Sequence, residues 1–305
     1  MKKSVAVLMG GTSAEREVSL VTGKACADAL RKCGFRIACI DVTGDIQAMI
    51  AALITQKPDV VFNALHGRHG EDGKIQGLLD LLGIPYTHSG VLASAVAMDK
   101  QKAKILFGAK GIPCPDGRVM TLDQISACTD LEPPYVIKPN DEGSSVGVYI
   151  VRPGDNRVPT REWPFGDTAL VETFIPGREL TVAVMGDRAL GVTELRPLTG
   201  FYDYESKYTE GKTVHLCPAP IPDDVARLAM EYAVTAHRTL GCQGVSRSDF
   251  RYDDTAGEPG QLYMLELNTQ PGMTPLSLVP EQAAHAGMPF GELVTWMVEN
   301  AACDS

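Results

Sequence analysis

A short, uninterrupted apolar run near the N-terminus, residues 5–9, narrows the possible folds more than any other part of the chain. A run of this length is typical of a strand that is buried on both faces of a parallel sheet. It leads into a glycine turn and then a helical pattern over residues 15–33, and two further strand-like runs cover 36–41 and 59–64. Strands that alternate with helices predict an α/β fold that begins with an open parallel sheet.

The turn after the first strand bears on the class of ligand. The second strand ends in an acid, Asp41, as in dinucleotide-binding folds, but the glycine pattern of those folds, G-x-G-x-x-G, is not met. Glu15 lies at the mouth of the turn, where a carboxylate would repel a pyrophosphate and suit an ammonium group. Glu15 could equally be an ordinary first-turn residue favoured by the helix dipole, and the sequence leaves both interpretations open.

Two glycine-rich loops are candidates for ligand contact. Residues 65–73 carry three glycines and five ionisable side chains at the carboxyl end of a strand, where open α/β sheets bind ligands. A metal site made by the two histidines of this loop is disfavoured, because no helix aims both rings. Residues 142–147 join two strands, and their backbone N–H groups could cover phosphates together with Lys138 and with Lys100, which lies on a helix predicted over 93–111. An ordinary hairpin turn is the alternative, and the Walker-A pattern is absent.

Residues 262–268 have the pattern of a strand that ends in two oxygen ligands. The alternation predicts Tyr263, Leu265 and Leu267 on one face, and the other face holds Leu262, Met264, Glu266 and Asn268. Glu266 and Asn268 would therefore point into the same space, and Mg²⁺ prefers such ligands. Asp249, in another short segment, would complete a three-ligand site, with Arg247 beside it to meet a developing negative charge. An exposed strand end with two polar residues is the alternative for the isolated motif.

Composition limits the class of protein. At 305 residues, with 44% hydrophobic and 22% charged residues, the chain predicts two or three modest globular lobes. A net charge of -10 without any Lys/Arg block argues against a nucleic-acid surface. The sequence has no apolar stretch near the roughly 20 residues that a membrane span needs. Eight cysteines without metal-binding spacing predict reduced thiols in a cytoplasmic protein.

Two further features predict a nucleotide cleft with a cover. Glu172 and Glu179 flank a Pro-Gly link between two strands, where they could bind the amine edge of a base and a ribose diol, or could merely be solvated. Residues 200–208 hold four aromatic side chains without a clear period, ahead of a glycine turn. A long loop of this kind in a compact domain is often a lid.

Seven blocks follow one another along nearly the whole chain: GGTSAEREVS (10–19), LHGRHGEDG (65–73), MDK (98–100), IKPNDEGSSVG (137–147), FYDYESKY (201–208), SRSDF (246–250) and LELNTQPGMT (265–274). Together they resemble the D-alanine-D-alanine ligases, which belong to the ATP-grasp superfamily. The resemblance implies an N-terminal α/β lobe over residues 1–92, a central ATP-grasp lobe over 93–179 and a C-terminal ATP-grasp lobe over 180–305. ATP would lie between the last two lobes, and the first lobe would bring the first D-alanine.

The resemblance also implies the residues that bind ATP and metal. The ATP contacts would be Lys100, Lys138, Glu172, Glu179 and, on the lid, Lys207. The ligands of two Mg²⁺ ions, for which Mn²⁺ could substitute, would be Asp249, Glu266 and Asn268, with Glu266 bridging the two ions. No role is assigned to Asn140 and Asp141.

The same resemblance implies the residues that handle the amino acids. The catalytic set would be Glu15, Ser144, Tyr208, Arg247 and Gly272. The residues that bind substrate would be His66, Ser277 and Leu278. Glu15 would hold the first D-alanine, and hydrogen bonds through Ser144 would join Glu15 to Tyr208 of the lid. The carboxylate of the second substrate would bind Ser277 and the N–H of Leu278. Arg247 and the N–H of Gly272 would form an oxyanion hole.

The activity implied is the ATP-dependent joining of two D-alanine molecules through an acyl phosphate, for bacterial peptidoglycan. The protein would be a cytoplasmic homodimer without nucleic-acid or membrane partners. A ligase that joins D-alanine to D-lactate or D-serine is one alternative, and the identity of Tyr208 in the lid bears on it. A nucleotide-binding protein without catalysis is another, disfavoured because each expected position holds a competent side chain.

Overall fold

The structure, a computed structural model, describes residues 2–128, 130–155, 163–198, 212–255, 257 and 259–304. The helices are α1 (Arg16–Lys32), α2 (Ile46–Gln56), α3 (Lys74–Leu82), α4 (Val91–Met98), α5 (Lys100–Gly108), α6 (Leu122–Ala127), α7 (Asp223–Leu240), α8 (Leu278–His285) and α9 (Phe290–Glu299). The first six strands are β1 (Ser4–Gly10), β2 (Arg36–Val42), β3 (Val60–Asn63), β4 (Gly117–Thr121), β5 (Tyr135–Lys138) and β6 (Tyr149–Val151). The other six are β7 (Thr168–Thr173), β8 (Arg178–Met185), β9 (Arg188–Pro197), β10 (Thr213–Leu216), β11 (Val245–Asp253) and β12 (Gln261–Asn268). The predicted lid, with Lys207 and Tyr208, lies outside the described residues.

The N-terminal part of the chain forms a parallel sheet in the order β2-β1-β3. The central strand β1 is apolar from Val5 to Met9, and its residues 5–8 are at most 1% exposed, because helices cover both faces of the sheet. The predicted open parallel sheet is therefore confirmed. Since all its strands run the same way, the loop at residues 65–73 and the turn before α1 emerge at the same edge.

Two antiparallel sheets make up most of the remainder. One has four strands in the order β4-β7-β5-β6, and the other has five in the order β10-β9-β8-β11-β12. Helices α4, α5 and α7 pack on the five-stranded sheet, where Phe107, Ala229 and Phe250 share one core. The predicted lobe boundaries at residues 92 and 179 stay a prediction. Among the described helices, none is both long and apolar enough to span a lipid bilayer.

The helix predicted over residues 93–111 is divided into α4 and α5 at Asp99. The backbone of Asp99 is extended there, with φ -86° and ψ 96°. Its carboxylate accepts a hydrogen bond of 3.0 Å from the N–H of Lys102, so Asp99 caps the second helix. The break makes Lys100 the first residue of α5 and turns it toward the strands that follow.

A β-bulge in β12 corrects the alternation predicted for residues 262–268. Leu265 is an extra residue in this strand, because its neighbours Met264 and Glu266 face consecutive residues of β11. The bulge reverses the alternation. Leu267 therefore joins Met264 in the core, and Glu266 turns to the opposite face with Asn268. The prediction that Leu267 shares a face with Tyr263 and Leu265 was wrong. Glu266 and Asn268 do point into the same space, as predicted.

Candidate active site

Two joined cavities lie where the three sheets approach one another. The first, which we call the inter-sheet cleft, has about 800 Å³ of empty space, its open mouth included, and is lined by Val136, Lys138, Ile150, Glu172, Phe174, Glu179 and Asp249, among others. The second, the inner cavity, has about 620 Å³ of empty space, again with its open mouth included, and is lined by Glu15, His66, Ser144, Arg247, Asn268 and Gly272, among others. Lys100, Glu142 and Glu266 line both. Groups bound in the two cavities could therefore meet at these three side chains.

Most of the predicted site residues line these cavities. The role of each one stays a prediction. Lys138, Glu172, Glu179 and Asp249 lie in the inter-sheet cleft. Ser277 and Leu278 are not among the described lining residues, but a Cβ on Gly272 would lie 2.9 Å from the hydroxyl oxygen of Ser277. Ser277 thus supports the wall of the inner cavity, where α8 begins.

Glu172 in the inter-sheet cleft is buried between two lysines. Nζ of Lys138 lies 2.5 Å from Oε1 of Glu172, and Nζ of Lys104 contacts Oε2. Burial raises the pKa of Glu172, but the two lysines together hold it below its ordinary value. Burial also lowers the pKa of Lys104 to about 8, with the charge of Lys138 acting in the same direction. Sequence reasoning missed Lys104, which lies 68 residues from its partner.

Arg251 is a second residue of the inter-sheet cleft that the sequence did not reveal. Its Nη1 lies 3.6 Å from Oε2 of Glu179. Its Nε and Nη2 donate to the carbonyl oxygens of Ile175 and Gly177 at 3.1 and 2.7 Å. Burial lowers the pKa of Arg251. Arg251 therefore fixes the Pro-Gly link that separates Glu172 from Glu179 and sets the distance between the two acids.

The predicted metal ligands lie on neighbouring strands. Asp249 and Glu266 are paired directly across β11 and β12. Arg247 donates to both carboxylate oxygens of Asp249 at 2.8 and 2.7 Å, and Nζ of Lys100 lies 3.3 Å from Oε2 of Glu266. The side-chain oxygen of Asn268 accepts from the N–H of Gln270 at 2.7 Å.

The chemistry of this donor set fits a hard divalent cation. Two carboxylates and one carboxamide oxygen open onto the joined cavities, and oxygen is the ligand that Mg²⁺ prefers. No group of three or more His, Cys, Asp and Glu side chains that could hold a metal occurs among the described residues. That finding does not bear on this set, because its third member is an asparagine.

Glu15 and Ser144 join the N-terminal sheet to the glycine-rich loop after β5. The hydroxyl of Ser144 donates to Oε1 of Glu15, whose side chain is buried at the start of α1. Ser144 has φ +54°, in the left-handed region. Gly67 has φ +68°, and a Cβ there would lie 2.7 Å from Oε2 of Glu15, so a side chain at this position would displace that carboxylate. The carboxylate of Glu15 is therefore held in the inner cavity from two sides.

His66 is fixed within the same cavity by both ring nitrogens. Its Nδ1 lies 3.1 Å from Oε1 of Glu71, and its Nε2 lies 3.1 Å from the hydroxyl of Thr22. The residue is 4% exposed. An imidazole held in this way keeps one orientation toward the cavity, which suits a positioning role.

Gln270 connects the turn after β12 to the N-terminal sheet. Its Oε1 accepts from Nδ2 of Asn63 at 2.6 Å, and its Nε2 donates to the carbonyl oxygen of Leu65. All of these atoms are buried. Asn63 is the polar residue at the end of a short apolar strand. Its position there was the one local sign in the sequence that such a link exists. The contact ties the segment that carries Thr269 and Gly272 to the one that carries His66, and both segments line the inner cavity.

Comparison with known proteins agrees with this geometry. A family model described as D-ala D-ala ligase C-terminus matches residues 113–299, and one described as D-ala D-ala ligase N-terminus matches residues 46–89. A D-alanine-D-alanine ligase of Paramagnetospirillum magneticum (strain ATCC 700264 / AMB-1) is 59% identical over 307 residues, which cover 100% of each chain. One of Acidiphilium cryptum (strain JF-5) is 58% identical over 303 residues, which cover 99% of each.

Solved structures show the same likeness. The crystal structure of a D-alanine-D-alanine ligase from Bacillus anthracis is 32% identical, with a TM-score of 0.83, and the match covers 98% of this chain and 97% of that one. A structure of that enzyme complexed with ATP is 30% identical, with a TM-score of 0.79 and the same coverage. The predicted ATP-grasp fold is confirmed by these neighbours. The chain belongs to the D-alanine-D-alanine ligase family.

Proposed function

We propose that this protein joins two D-alanine molecules to D-alanyl-D-alanine, with conversion of ATP to ADP and phosphate, for peptidoglycan synthesis. The observation that carries the proposal is the junction of the two cavities at Lys100, Glu142 and Glu266. A nucleotide in the inter-sheet cleft could place its terminal phosphate there, beside a carboxylate held in the inner cavity. Family membership supplies the identity of the amino acid.

The nucleotide is assigned to the inter-sheet cleft. Apolar side chains of β5 and β6 offer a surface for the base, and Glu172 and Glu179 offer acceptors for its amino group and for the ribose diol. Lys138 and Lys100 supply positive charge for the phosphates. Lys207, in the segment that the structure leaves undescribed, would reach the terminal phosphate.

Two Mg²⁺ ions are assigned to Asp249, Glu266 and Asn268, with Mn²⁺ as a substitute. When bound, the metal neutralises charge on the transferring phosphoryl group and so favours its transfer. Asp249 and Glu266 are already neutralised by Arg247 and Lys100. A divalent cation at these carboxylates would release both basic side chains toward the substrates, where the proposed reaction needs them.

The first D-alanine is assigned to Glu15, Ser144 and His66, with Tyr208 of the lid above it. Its carboxylate oxygen attacks the terminal phosphorus of ATP, and ADP leaves, which yields an acyl phosphate. A carboxylate must be activated in this way because it is a poor acylating agent. Water must be kept out, since it would hydrolyse the intermediate.

The second D-alanine is assigned to the region of Ser277 and Leu278. Its amino nitrogen attacks the acyl carbon, the peptide bond forms, and phosphate leaves as the nitrogen loses its proton. We assign Arg247 and the N–H of Gly272 to the stabilisation of the tetrahedral oxyanion. The backbone N–H groups at the start of α8 suit the second carboxylate, because a helix N-terminus attracts anions.

The proposal extends to the surroundings of the enzyme. We assign it to the cytoplasm, where the eight cysteines, all free in the structure, would remain reduced. We also assign a homodimer, which light scattering on the purified protein would test. A monomer at micromolar concentration would contradict that part alone.

The central test is phosphate release from ATP and Mg²⁺ with D-alanine, L-alanine, D-serine or D-lactate as the second component. We expect release that depends on D-alanine, with the dipeptide recovered in equal amount. Recovery of a D-alanyl-D-lactate ester in preference to the dipeptide would assign the chain to the other ligase class. Absence of any release that depends on D-alanine would refute the proposed function.

A further inference from the structure

Glu172 separates the inter-sheet cleft from a neighbouring groove. We call this the α5 groove; it is lined by residues that include Gln101, Lys104, Ile105, Cys114, Leu170 and Glu172. Lys138 lines the inter-sheet cleft. Lys104 lines the α5 groove instead and is absent from the described lining of the cleft. The side chains of Lys104, Lys138 and Glu172 are 10%, 9% and 3% exposed. One buried carboxylate thus has a cation on each side, and only one of the two cations faces the nucleotide.

The two lysines differ in what they can reach. Lys138 ends β5 beside the proposed phosphate site, so an incoming nucleotide would draw its ammonium group away from Glu172. A buried carboxylate without a counter-ion is unstable and takes up a proton instead. Lys104 lies one helical turn after Lys100 on α5, behind Glu172, and its contact with Oε2 does not depend on the cleft. It can therefore stay in place when Lys138 moves.

We propose that Lys104 is a positioning residue of the nucleotide site, the permanent counter-ion that keeps Glu172 ionised and oriented while Lys138 serves the phosphates. The inference rests on the proposed function in one respect, that adenine lies against Glu172. Lys104 itself touches neither the nucleotide nor the amino acids. The lowered pKa of Glu172, which persists against the effect of burial, agrees with this role.

The proposed role has a consequence for the choice of nucleotide. The amino group of adenine donates a hydrogen bond, which an ionised carboxylate accepts. Guanine presents a carbonyl oxygen at the same position, which an ionised carboxylate repels and a protonated one can bind. By keeping Glu172 ionised, Lys104 favours ATP over GTP. A purely structural lysine would affect both nucleotides alike.

The test compares Lys104→Gln and Lys104→Arg with wild type, using affinity for ADP and for GDP and kcat/KM for ATP and for GTP. We expect Lys104→Gln to lower the preference for adenine at least about tenfold, a change of about 1.4 kcal/mol. Lys104→Arg, which keeps the charge, should restore the preference to within about threefold of wild type. Lys110→Gln, an exposed lysine just after the same helix, is the matched control and should change nothing. An unchanged preference in a folded Lys104→Gln variant would overturn the proposal.

A comparison in the Glu172→Gln background covers the case in which Lys104→Gln alone does not fold. Glu172→Gln removes the buried negative charge, and Lys104→Gln is then added to it. We expect the second change to leave ADP affinity and nucleotide preference unaltered, because Lys104 acts only through Glu172. A further loss of about tenfold in ADP affinity would show an independent role for Lys104 and reject the inference. ADP binding needs no D-alanine, so wild type that binds ADP without making dipeptide would refute the proposed function and leave this test valid.

Discussion

Glu266 stands at the junction of the two cavities, and the proposed chemistry uses its charge more than its shape. We expect Glu266→Gln to lower turnover on the order of 100-fold or more, because an amide cannot supply the negative charge that a divalent cation needs. The two side chains are nearly isosteric, so the melting temperature should change little. The measurement is the steady-state rate at saturating and at limiting Mg²⁺. Glu292→Gln, at an exposed glutamate, is the control. Near-normal activity at limiting Mg²⁺ would show that the metal is held elsewhere.

Asn140, to which the sequence assigned no role, ties the glycine-rich loop to the start of α5. Its Nδ2 donates to Asp99 at 2.9 Å, and its Oδ1 accepts from the N–H of Gln101 at 3.0 Å. Its own carbonyl oxygen accepts from the N–H of Lys100 at 3.1 Å. The two side-chain bonds hold Lys100 and the loop in one register, so both cavities depend on them.

We therefore expect Asn140→Ala to reduce the free energy of unfolding by about 1–3 kcal/mol, from two lost hydrogen bonds of about 0.5–1.5 kcal/mol each. The KM for ATP should rise as well, because Lys100 loses its support. Urea unfolding and initial rates make the comparison. Asp141→Ala, next to it, removes only a contact of 3.3 Å with exposed Arg68 and should behave as wild type. Equal stability of the two variants would mean that Asn140 does not hold the loop.

At the scale of elements, the start of α4 depends on a residue far along the chain. Gly90 precedes the helix and has no side chain, and the N–H of Val91 donates to Oδ2 of Asp304 at 2.9 Å. The N–H of Asp304 in turn donates to Asp80 at 2.8 Å. An N-cap is thus supplied by residue 304, which also ties α3 to α4.

We expect Asp304→Ala to lower the free energy of unfolding by about 1 kcal/mol, the usual effect of losing an N-cap. Asp304→Asn keeps an oxygen acceptor and should recover most of the loss. The measurement is the denaturant midpoint of unfolding for wild type, Asp304→Ala and Asp304→Asn. If alanine and asparagine prove indistinguishable from aspartate, the hydrogen bond to Val91 contributes nothing to stability.

The elements also show how far sequence reasoning reaches. Strand β1 and helix α1 were predictable, because a run buried on both faces and a helical period are local signals. The bulge at Leu265 was not, because a single extra residue leaves the composition of a strand unchanged and only its partner reveals it. Strand β10, with four residues, is too short to display a period.

The candidate site divides along the same line. Residues inside compact motifs, such as Glu15, Lys138 and Glu266, could be chosen from the sequence by resemblance. Lys104 and Arg251 could not be chosen in this way, because only their ion pairs mark them as site residues. The partners, Glu172 for Lys104 and Glu179 for Arg251, are about 70 residues away in the sequence. Their ion pairs follow from the contact of α5 with β7 and from the pairing of β8 with β11, which local patterns do not encode.

At the scale of the whole molecule, buried histidines link stability to pH. His88 is enclosed between the N-terminal sheet and the start of β11, and burial lowers its pKa to about 4, with nearby His66 acting in the same direction. His237 on α7 is also buried, and burial lowers its pKa to about 4. Both are neutral in the folded protein over a range in which the unfolded chain, with a histidine pKa near 6.5, takes up protons.

The unfolded state therefore binds more protons between about pH 6.5 and pH 4, and the free energy of unfolding should fall as the pH falls through that window. Each histidine contributes up to about 1.4 kcal/mol per pH unit. We expect His88→Asn to reduce the slope between pH 6.5 and 5 by nearly one histidine's share. Asparagine also tolerates the left-handed backbone at this position, where φ is +72°. An unaltered slope would mean that His88 takes up its proton equally in the folded and unfolded protein.

The arrangement of the N-terminal sheet has a consequence for how the chain is made. One face of that sheet, with Val7 and Phe62, shares its core with Val279, Leu293 and Val298 from α8 and α9. On a ribosome, the first strands emerge long before those helices exist. Helix α1 covers part of that face early, but the rest of it stays open until α8 and α9 have been synthesised. Chaperones that shield nascent chains would be needed most by the segment that is translated first, and folding of this lobe would be completed last.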